Sequence, residues 1–274
     1  MVDRTFRFGV VAAPTAGAQA WRDTARRIEQ LGYQVLVTPD NLMLPAPTVS
    51  LAVAASVTTT LRVGSYVLAS PLRTPRAAAW DAHSLATLTG DRFELGLGTG
   101  IPVMRQQAEE LGLPYGSGPE RLDAVEQTIA GLRSLETGTR TPVLIAAGGP
   151  RARALAASRA DIVTLADGAL TSRDDVESHF REIRQLAGGR ADDIELSMSL
   201  FVVNGEVPDE MRPFAGADTA TLIARESVNV LHGDTDAMVD ELRRRRDRFG
   251  VSYIVVNGTF AEALAPVVER LAGR

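Results

Sequence analysis

The stretch Arg92-Phe93-Glu94-Leu95-Gly96-Leu97-Gly98-Thr99-Gly100 contains the unit from which we predict the fold. Its first six residues include the apolar residues Phe93, Leu95 and Leu97 and predict a strand. Its glycines follow at the strand end, where the backbone must turn or come close to a ligand. Helical patterns flank it over Pro75–Leu88 and Glu120–Leu135. A strand set between two helices is the repeating unit of a parallel sheet.

The same alternation of strand and helix runs along the whole chain. The predicted strands are Phe6–Val11, Val35–Thr38, Arg62–Leu68, Arg92–Leu97, Val143–Ala147, Asp161–Leu165, Ile194–Val203 and Ser252–Val256. Eight parallel strands can close into a barrel, so we predict an α/β fold of the (β/α)8 TIM-barrel type. A doubly wound open sheet is the alternative. No linker or composition step interrupts the chain, which predicts one domain over residues 1–274.

The composition excludes several kinds of chemistry. The 274 residues include no Cys, only three His, and 29 basic residues that are all Arg. Disulfides, thiol nucleophiles, Schiff bases and thiolate metal sites are therefore impossible, and no metal site is predicted. What is left suits an enzyme whose chemistry comes from a bound cofactor.

Charge and hydropathy restrict the binding partners and the cellular location that we expect. The net charge of −5 gives no indication of nucleic-acid binding. Met1–Gly9 lacks the apolar core of a signal peptide. The longest uncharged stretch, residues 41–61, contains Pro45 and Pro47, so we predict a loop and a buried helix there and no membrane span. We therefore expect a cytoplasmic protein that acts on a small molecule.

Three strand ends carry candidate binding residues. The loop at Gly98, Thr99 and Gly100 is an incomplete dinucleotide fingerprint, because Ile101 occupies the third glycine position; it predicts backbone contacts to an anion. The run from Ala146 to Arg151 predicts either an anion site at a helix start or a plain turn. Pro39-Asp40-Asn41 predicts either a carboxylate at the barrel mouth or an Asx turn.

The three histidines give little support for catalysis. His83 and His179 lie within helical patterns, where we interpret them as structural or solvent-exposed. His232 lies in a loop close to the eighth predicted strand, so it is the one histidine considered for a site. No Ser/His/Asp arrangement and no metal-binding motif is present.

Five segments together resemble the luciferase-like flavin and deazaflavin oxidoreductases. They are residues 32–41, 61–68, 88–100, 145–150 and 249–256, in the order and spacing of that family. The resemblance implies a (β/α)8 barrel, which agrees with the independent strand count. It also implies a bound flavin or its 5-deaza analogue, coenzyme F420. The Ala-Ala-Gly-Gly-Pro form of residues 146–150 is similar to the deazaflavin branch.

The resemblance further implies residue roles. Asp40 would hydrogen-bond the ring system of the cofactor. The face of that ring would rest on the third predicted strand. This strand would contain a non-proline cis peptide bond at Tyr66–Val67. The residues implied to bind cofactor are Asp40, Tyr66, Val67, Ala69, Gly98, Thr99, Gly100, Gly148, Gly149, Arg151 and Ala152. With no Lys in the chain, the candidates for a salt bridge to phosphate are Arg73, Arg105 and Arg151.

The sequence departs from the family pattern at two catalytic positions. Asn41 stands where deazaflavin-dependent sugar-phosphate dehydrogenases have a His, and Ile101 stands where they have an acid. Sugar-phosphate oxidation is therefore not expected. Asp40 and Asn41 are predicted as catalytic residues, and Asp167 and His232 are further candidates for a general acid.

The function expected from this resemblance is an F420-dependent oxidoreductase that moves a hydride between the deazaflavin and a small organic substrate. An FMN-dependent monooxygenase of the same fold is one alternative. A barrel that binds flavin or deazaflavin without turnover is another. A homodimer is expected by analogy with the family.

Overall fold

The computed structural model describes residues 4–274. Met1–Asp3 lie outside the described residues. They are the first residues of the predicted domain and of Met1–Gly9, the segment for which no signal peptide is predicted. The strands are β1 (Arg7–Val11), β2 (Val35–Thr38), β3 (Arg62–Ser65), β4 (Leu68–Ala69), β5 (Phe93–Gly98), β6 (Val143–Ala147), β7 (Ile162–Leu165), β8 (Glu195–Leu200), β9 (Val202–Val203), β10 (Val230–Leu231) and β11 (Val251–Asn257).

The strands close into a barrel of eight parallel positions. Around the barrel the order is β1, β2, β3, β5, β6, β7, β8 and β11, and β11 pairs again with β1. The sheet closes between β3 and β5 through the pairs Val63 with Phe93 and Gly64 with Glu94. The predicted TIM barrel is confirmed, and the open-sheet alternative is wrong.

Helices cover the outside of the barrel. They are α1 (Ala18–Gln30), α2 (Pro47–Ser56), α3 (Pro75–Leu88), α4 (Met104–Glu110), α5 (Gly118–Leu135), α6 (Pro150–Arg159), α7 (Arg173–Ala187), α8 (Arg212–Ala215), α9 (Thr219–Ala224), α10 (Thr235–Phe249) and α11 (Ala261–Leu271). Local signals set their ends; Ser117 and Glu120, for example, form a reciprocal capping box at the start of α5. Over residues 4–274, no helix is long and apolar enough to cross a membrane.

Two predicted strands are divided in the structure. The third breaks between β3 and β4, and β4 continues its course by pairing with β5. The seventh breaks at Phe201, after which β9 leaves the barrel and pairs with β10. The backbone carbonyl of Asn229 accepts hydrogen bonds from the amides of Phe201 and Val202, which directs the chain outward. The apolar run continues across this break, so periodicity alone could not reveal it.

The barrel interior is filled by alternate residues of the strands. Val35 and Val37 of β2 pack inside with Tyr253 and Val255 of β11, whereas Leu36 belongs to the outer core beneath the helices. Gly9 is required on the inner face, because a Cβ there would lie 2.9 Å from the Tyr253 hydroxyl. The interior is thus a packed core with one open end.

Charged side chains close the amino-terminal end of the barrel. Arg7 binds the carboxylate of Glu94 and, at 2.6 Å, that of Glu195; Arg62 reaches Glu94 at 2.7 Å. The Arg7 guanidinium also lies 3.9 Å from the centre of the Tyr253 ring. Burial acts to lower the pKa of Arg7, but the charges of Glu94 and Glu195 outweigh it and raise that pKa. Arg7 therefore stays charged and paired inside the barrel.

A single carboxylate fixes the loop that leads into β3. One oxygen of Glu29 accepts hydrogen bonds from the amides of Thr59, Thr60 and Leu61, at 2.9, 2.7 and 2.9 Å. Burial acts to raise the pKa of Glu29, but these amide donors outweigh it and lower the pKa to about 2. The ionised form therefore stabilises the folded state.

We predict that Glu29→Gln lowers the free energy of unfolding at pH 7 by about 1 kcal/mol, because the amides lose a charged acceptor. The pKa of Glu29 is lower in the folded protein than in the unfolded chain, where it is about 4.3. The ionised carboxylate therefore stabilises the fold above pH 4.3, and this stabilisation is lost as the pH falls toward about 2. The difference between the two proteins should therefore shrink over this range in denaturant titrations. Glu269→Gln, at an exposed position of α11, is the control and should match the parent protein.

Candidate functional site

The carboxyl ends of the strands form the open end of the barrel. The Tyr66–Val67 bond between β3 and β4 is a cis peptide, as predicted from the resemblance. Gly98 at the end of β5 lets Val67 approach, because a Cβ at that glycine would lie 2.7 Å from a Val67 methyl group. The segment between β3 and β4 thus packs closely against the end of β5 at the mouth.

The side chain of Tyr66 crosses the barrel interior. Its hydroxyl is 3.0 Å from the hydroxyl of Thr164 on β7 and 2.8 Å from that of Ser199 on β8. Burial raises the pKa of Tyr66, and these hydrogen bonds offset the effect only in part. The phenol therefore stays protonated at neutral pH and joins opposite sides of the barrel beneath the mouth.

Asp40 is buried and already has partners. Its carboxylate receives two hydrogen bonds from the guanidinium of Arg73, at 2.6 and 2.9 Å, and one from the amide of Ala69 at 2.9 Å. The pair joins the loop after β2 to the loop before α3. Two residues predicted to contact cofactor, one at the ring and one at the phosphate, thus contact each other.

Asn41 forms the Asx turn that was the alternative interpretation of this segment. Its side-chain oxygen accepts a hydrogen bond from the amide of Met43 at 3.0 Å. Its backbone carbonyl accepts another from the amide of Leu44 at 3.2 Å. These bonds fix the loop after β2, and the catalytic role of Asn41 stays a prediction.

The glycine loop after β5 is held from outside the barrel. Arg121 of α5 donates to the carbonyl of Thr99 at 2.8 Å and stacks on the ring of Tyr115 at 4.2 Å. Arg105 lies on the same ring, 4.5 Å from its centre. Gly100 has a φ of +73°, which places the following residues toward α4. The sequence contains no local signal for Arg121, since its partner is a backbone atom twenty-two residues away.

The loop between β6 and α6 offers backbone amides. Gly149 occupies the position before the first turn of α6, where no side chain caps the helix. A Cβ at Gly149 would meet no atom within 4 Å, so the space beside it is open. Arg151 is exposed on the first turn. Helix starts of this kind bind anions through amides and the helix dipole.

Arg153 in the same helix is buried and has other partners. It donates to the carbonyl of Gly148, and its Nε lies 2.7 Å from the carboxylate of Glu182 on α7. Arg153 therefore shapes the loop, which leaves Arg151 as the exposed arginine beside it. Ala152 follows in the first turn, half-buried.

One pair of polar residues was not predicted. The Nδ1 atom of His179 on α7 lies 2.8 Å from a carboxylate oxygen of Asp167, in the loop after β7. Asp167 also lines a crevice between β7 and β8, next to Ser197 and Ser199. A strand-end acid twelve residues before a helical His was the signal available in the sequence. His232, the histidine considered for a site, is exposed in its loop.

Comparison with known proteins defines the family. A family model described as luciferase-like monooxygenase matches residues 5–248. The chain belongs to the luciferase-like monooxygenase family. An uncharacterized protein of Mycobacterium tuberculosis is 29% identical over 132 residues, which cover 39% of this chain and 45% of that protein. The match thus spans less than half the length of this curated relative.

Solved structures share the barrel at low sequence identity. A coenzyme F420-dependent tetrahydromethanopterin reductase from Methanopyrus kandleri is 17% identical, with a TM-score of 0.74 over 98% of this chain and 99% of that one. A long-chain alkane monooxygenase is 13% identical, with a TM-score of 0.74 over 98% and 91%. The family model is described by a monooxygenase activity, and these two solved structures are a reductase and a monooxygenase.

We predict that Arg73→Ala lowers the free energy of unfolding by about 3–5 kcal/mol, because it leaves the buried Asp40 carboxylate without its charged partner. Arg73→Lys should recover only part of this loss, since an ammonium group cannot form the two parallel bonds. Denaturant unfolding measures the effect, and hydrogen exchange at the Ala69 amide should accelerate in parallel. Arg76→Ala, at an exposed position of α3, is the control. Unchanged unfolding of Arg73→Ala would contradict the prediction.

Proposed function

We propose that the protein is an F420-dependent oxidoreductase that transfers a hydride between the deazaflavin and a small organic substrate. The observation that carries the proposal is the start of α6. There Gly149 leaves open space, no side chain caps the helix, and Arg151 is exposed on the first turn. A phosphate-bearing cofactor matches this combination of amides, helix dipole and arginine.

The ring of the cofactor would lie against an apolar surface at the mouth of the barrel. The surface formed by Val67 and Gly98 is apolar, and Tyr66 supports it from below through bonds to β7 and β8. When bound, the deazaflavin supplies the hydride chemistry. The residues of the chain would position it, with Val67 and Ala69 against the ring and Thr99, Gly148 and Ala152 near the ribityl and phosphate groups.

The scarcity of acid–base side chains agrees with a protein that positions the cofactor while the cofactor supplies the hydride chemistry. Asp40 is held by Arg73 and Ala69, and Asn41 is engaged in its turn. We therefore assign to Asp40 the fixing of the mouth and keep Asn41 as a polar group beside it. The choice of deazaflavin over flavin rests on the Ala-Ala-Gly-Gly-Pro form of residues 146–150, which is similar to the deazaflavin branch.

An FMN-dependent monooxygenase is the second candidate. The matching family model is described as a luciferase-like monooxygenase, and a long-chain alkane monooxygenase shares the fold. Titration of the purified protein with F420 and with FMN, followed by cofactor fluorescence, separates the two. Preferential binding of F420 supports the proposal. Tight FMN binding with oxygen consumption favours the monooxygenase, binding without turnover favours a carrier, and binding of neither cofactor contradicts all three.

We predict that Arg151→Ala weakens binding of the phosphate-bearing cofactor about tenfold, because a charge-assisted hydrogen bond to an anion is lost. The affinity of the parent protein should fall with added salt more steeply than that of the variant. Arg159→Ala is a matched control at the other end of α6, where the side chain pairs with Glu126. Equal affinities for Arg151→Ala and the parent would place the phosphate elsewhere.

A further inference from the structure

A cavity of about 220 Å³ lies between the start of α3 and the start of α5. Residues 70–75, which lead from β4 into α3, border it on one side, and residues 113–116 and the first turns of α5 border it on the other. None of these bordering residues is among those that the resemblance implies to bind the cofactor. The cavity is therefore a place for a ligand that is separate from the predicted cofactor site.

The walls of the cavity are mainly apolar and set the size of a ligand. They include the side chains Pro71, Pro75, Leu113, Pro114 and Tyr115. Proline side chains are rigid, so these walls lose little conformational freedom when a ligand covers them. An apolar cavity of about 150 Å³ holds a molecule of benzene. The larger volume here therefore accommodates one ring with a small polar group attached.

The hydroxyl group of Ser70 lacks a partner in the protein. Ser70 borders the cavity, and its Oγ atom is buried without a hydrogen bond to any residue within 4–274. A buried hydroxyl that forms no hydrogen bond destabilises the folded state. An oxygen atom of a ligand in the cavity would accept a hydrogen bond from this hydroxyl and remove that cost. Ser70 therefore indicates a ligand with a hydrogen-bond acceptor.

Arg121 brings a positive charge to the cavity. Its guanidinium donates to the backbone carbonyls of Thr99 and Gly116, both at 2.8 Å, and lies on the ring of Tyr115. Its hydrogen-bond partners within residues 4–274 are thus neutral carbonyls, which leave the charge unbalanced. The start of α3 adds to the positive potential, because its first turn holds no acidic side chain. The cavity consequently favours an anion.

The other charged groups at the cavity are already engaged. Arg73 is held by the carboxylate of Asp40, and the pair has no net charge. The carboxylate of Glu120 accepts hydrogen bonds from the amide and the hydroxyl of Ser117, both at 2.7 Å, and caps α5. Glu120 is exposed, so solvent screens its charge. The half-buried Arg121 therefore determines the sign of the charge that a ligand would carry.

We propose that this cavity is a second ligand site, which binds a small carboxylate whose apolar body is about the size of one ring. The carboxylate accepts a hydrogen bond from Ser70 and is attracted by Arg121, while the apolar body lies against the proline walls. The ligand occupies the cavity whichever cofactor the mouth of the barrel binds, so the proposal does not depend on the proposed function.

The test uses methyl NMR on the full chain without cofactor. Protein labelled with 13C-methyl alanine is titrated with benzoate, and Ala124→Ser and Ala152→Ser assign two resonances. The Ala124 resonance should shift with saturation, because Ala124 borders the cavity, while that of Ala152, beside the predicted phosphate site, should stay unchanged. Benzamide, which has the same ring without the charge, should bind about tenfold more weakly. Benzylamine, which carries a positive charge, should not shift Ala124.

Ser70→Ala separates ligand binding from folding. Because the hydroxyl has no partner in the protein, this variant should unfold at the temperature of the parent protein or above it. It should nevertheless bind benzoate about tenfold more weakly at the Ala124 resonance, since a hydrogen bond to a charged group is lost. Ser134→Ala, at an exposed position near the other end of α5, is the matched control and should bind benzoate like the parent.

Two charge variants test the sign of the ligand. Arg121→Gln should weaken benzoate binding about tenfold, whereas Glu120→Gln, which keeps an acceptor for Ser117, should strengthen it about twofold. Four outcomes would overturn the proposal: no saturable shift at Ala124, a shift at Ala152 in its place, tighter binding of benzylamine than of benzoate, or equal benzoate affinities of Ser70→Ala and the parent.

Discussion

The ion network at the amino-terminal end of the barrel determines where the molecule can bind a ligand. Arg7, Arg62, Glu94 and Glu195 fill the amino-terminal end of the interior with paired charges, and Tyr253 lies against them. Removing one member would leave a poorly solvated charge, which is far more destabilising than the net contribution of the pairs. Within residues 4–274 this end is closed, and all candidate binding residues lie at the carboxyl ends of the strands.

The barrel was predictable because its information is local. Most strands are short segments rich in apolar residues and followed by a helix, as Phe93–Gly98 is, so counting these units sufficed to predict the fold. The divided seventh strand was not predictable, because the break depends on the carbonyl of Asn229, almost thirty residues further along the chain. Asp40 and Gly149 were found as strand-end residues, whereas the pairs Asp40–Arg73 and Asp167–His179 arise only when separate loops meet in space.

Arginine serves as the cation for every purpose in this chain. Arg73 holds a carboxylate, whereas Arg121 and Arg153 hold backbone carbonyls of the loops at the mouth. A rigid guanidinium can bind two acceptors at once, so it suits this positioning role better than an ammonium group. The predicted phosphate site thus depends on Arg151 and on backbone amides.

The short pairing of β9 with β10 has a consequence for how this barrel can vary. Val203 and Leu231 are partners, and the amide of Asn204 donates to the carbonyl of Leu231 at 3.1 Å, so residues 204–229 form an excursion whose two ends are tied together outside the barrel. The entropic free-energy cost of closing such a segment grows slowly, by about 0.6 kcal/mol for each doubling of its length. Insertions at the exposed residues 212–214 of this segment should therefore leave the barrel intact, which makes them a natural place for length differences between relatives.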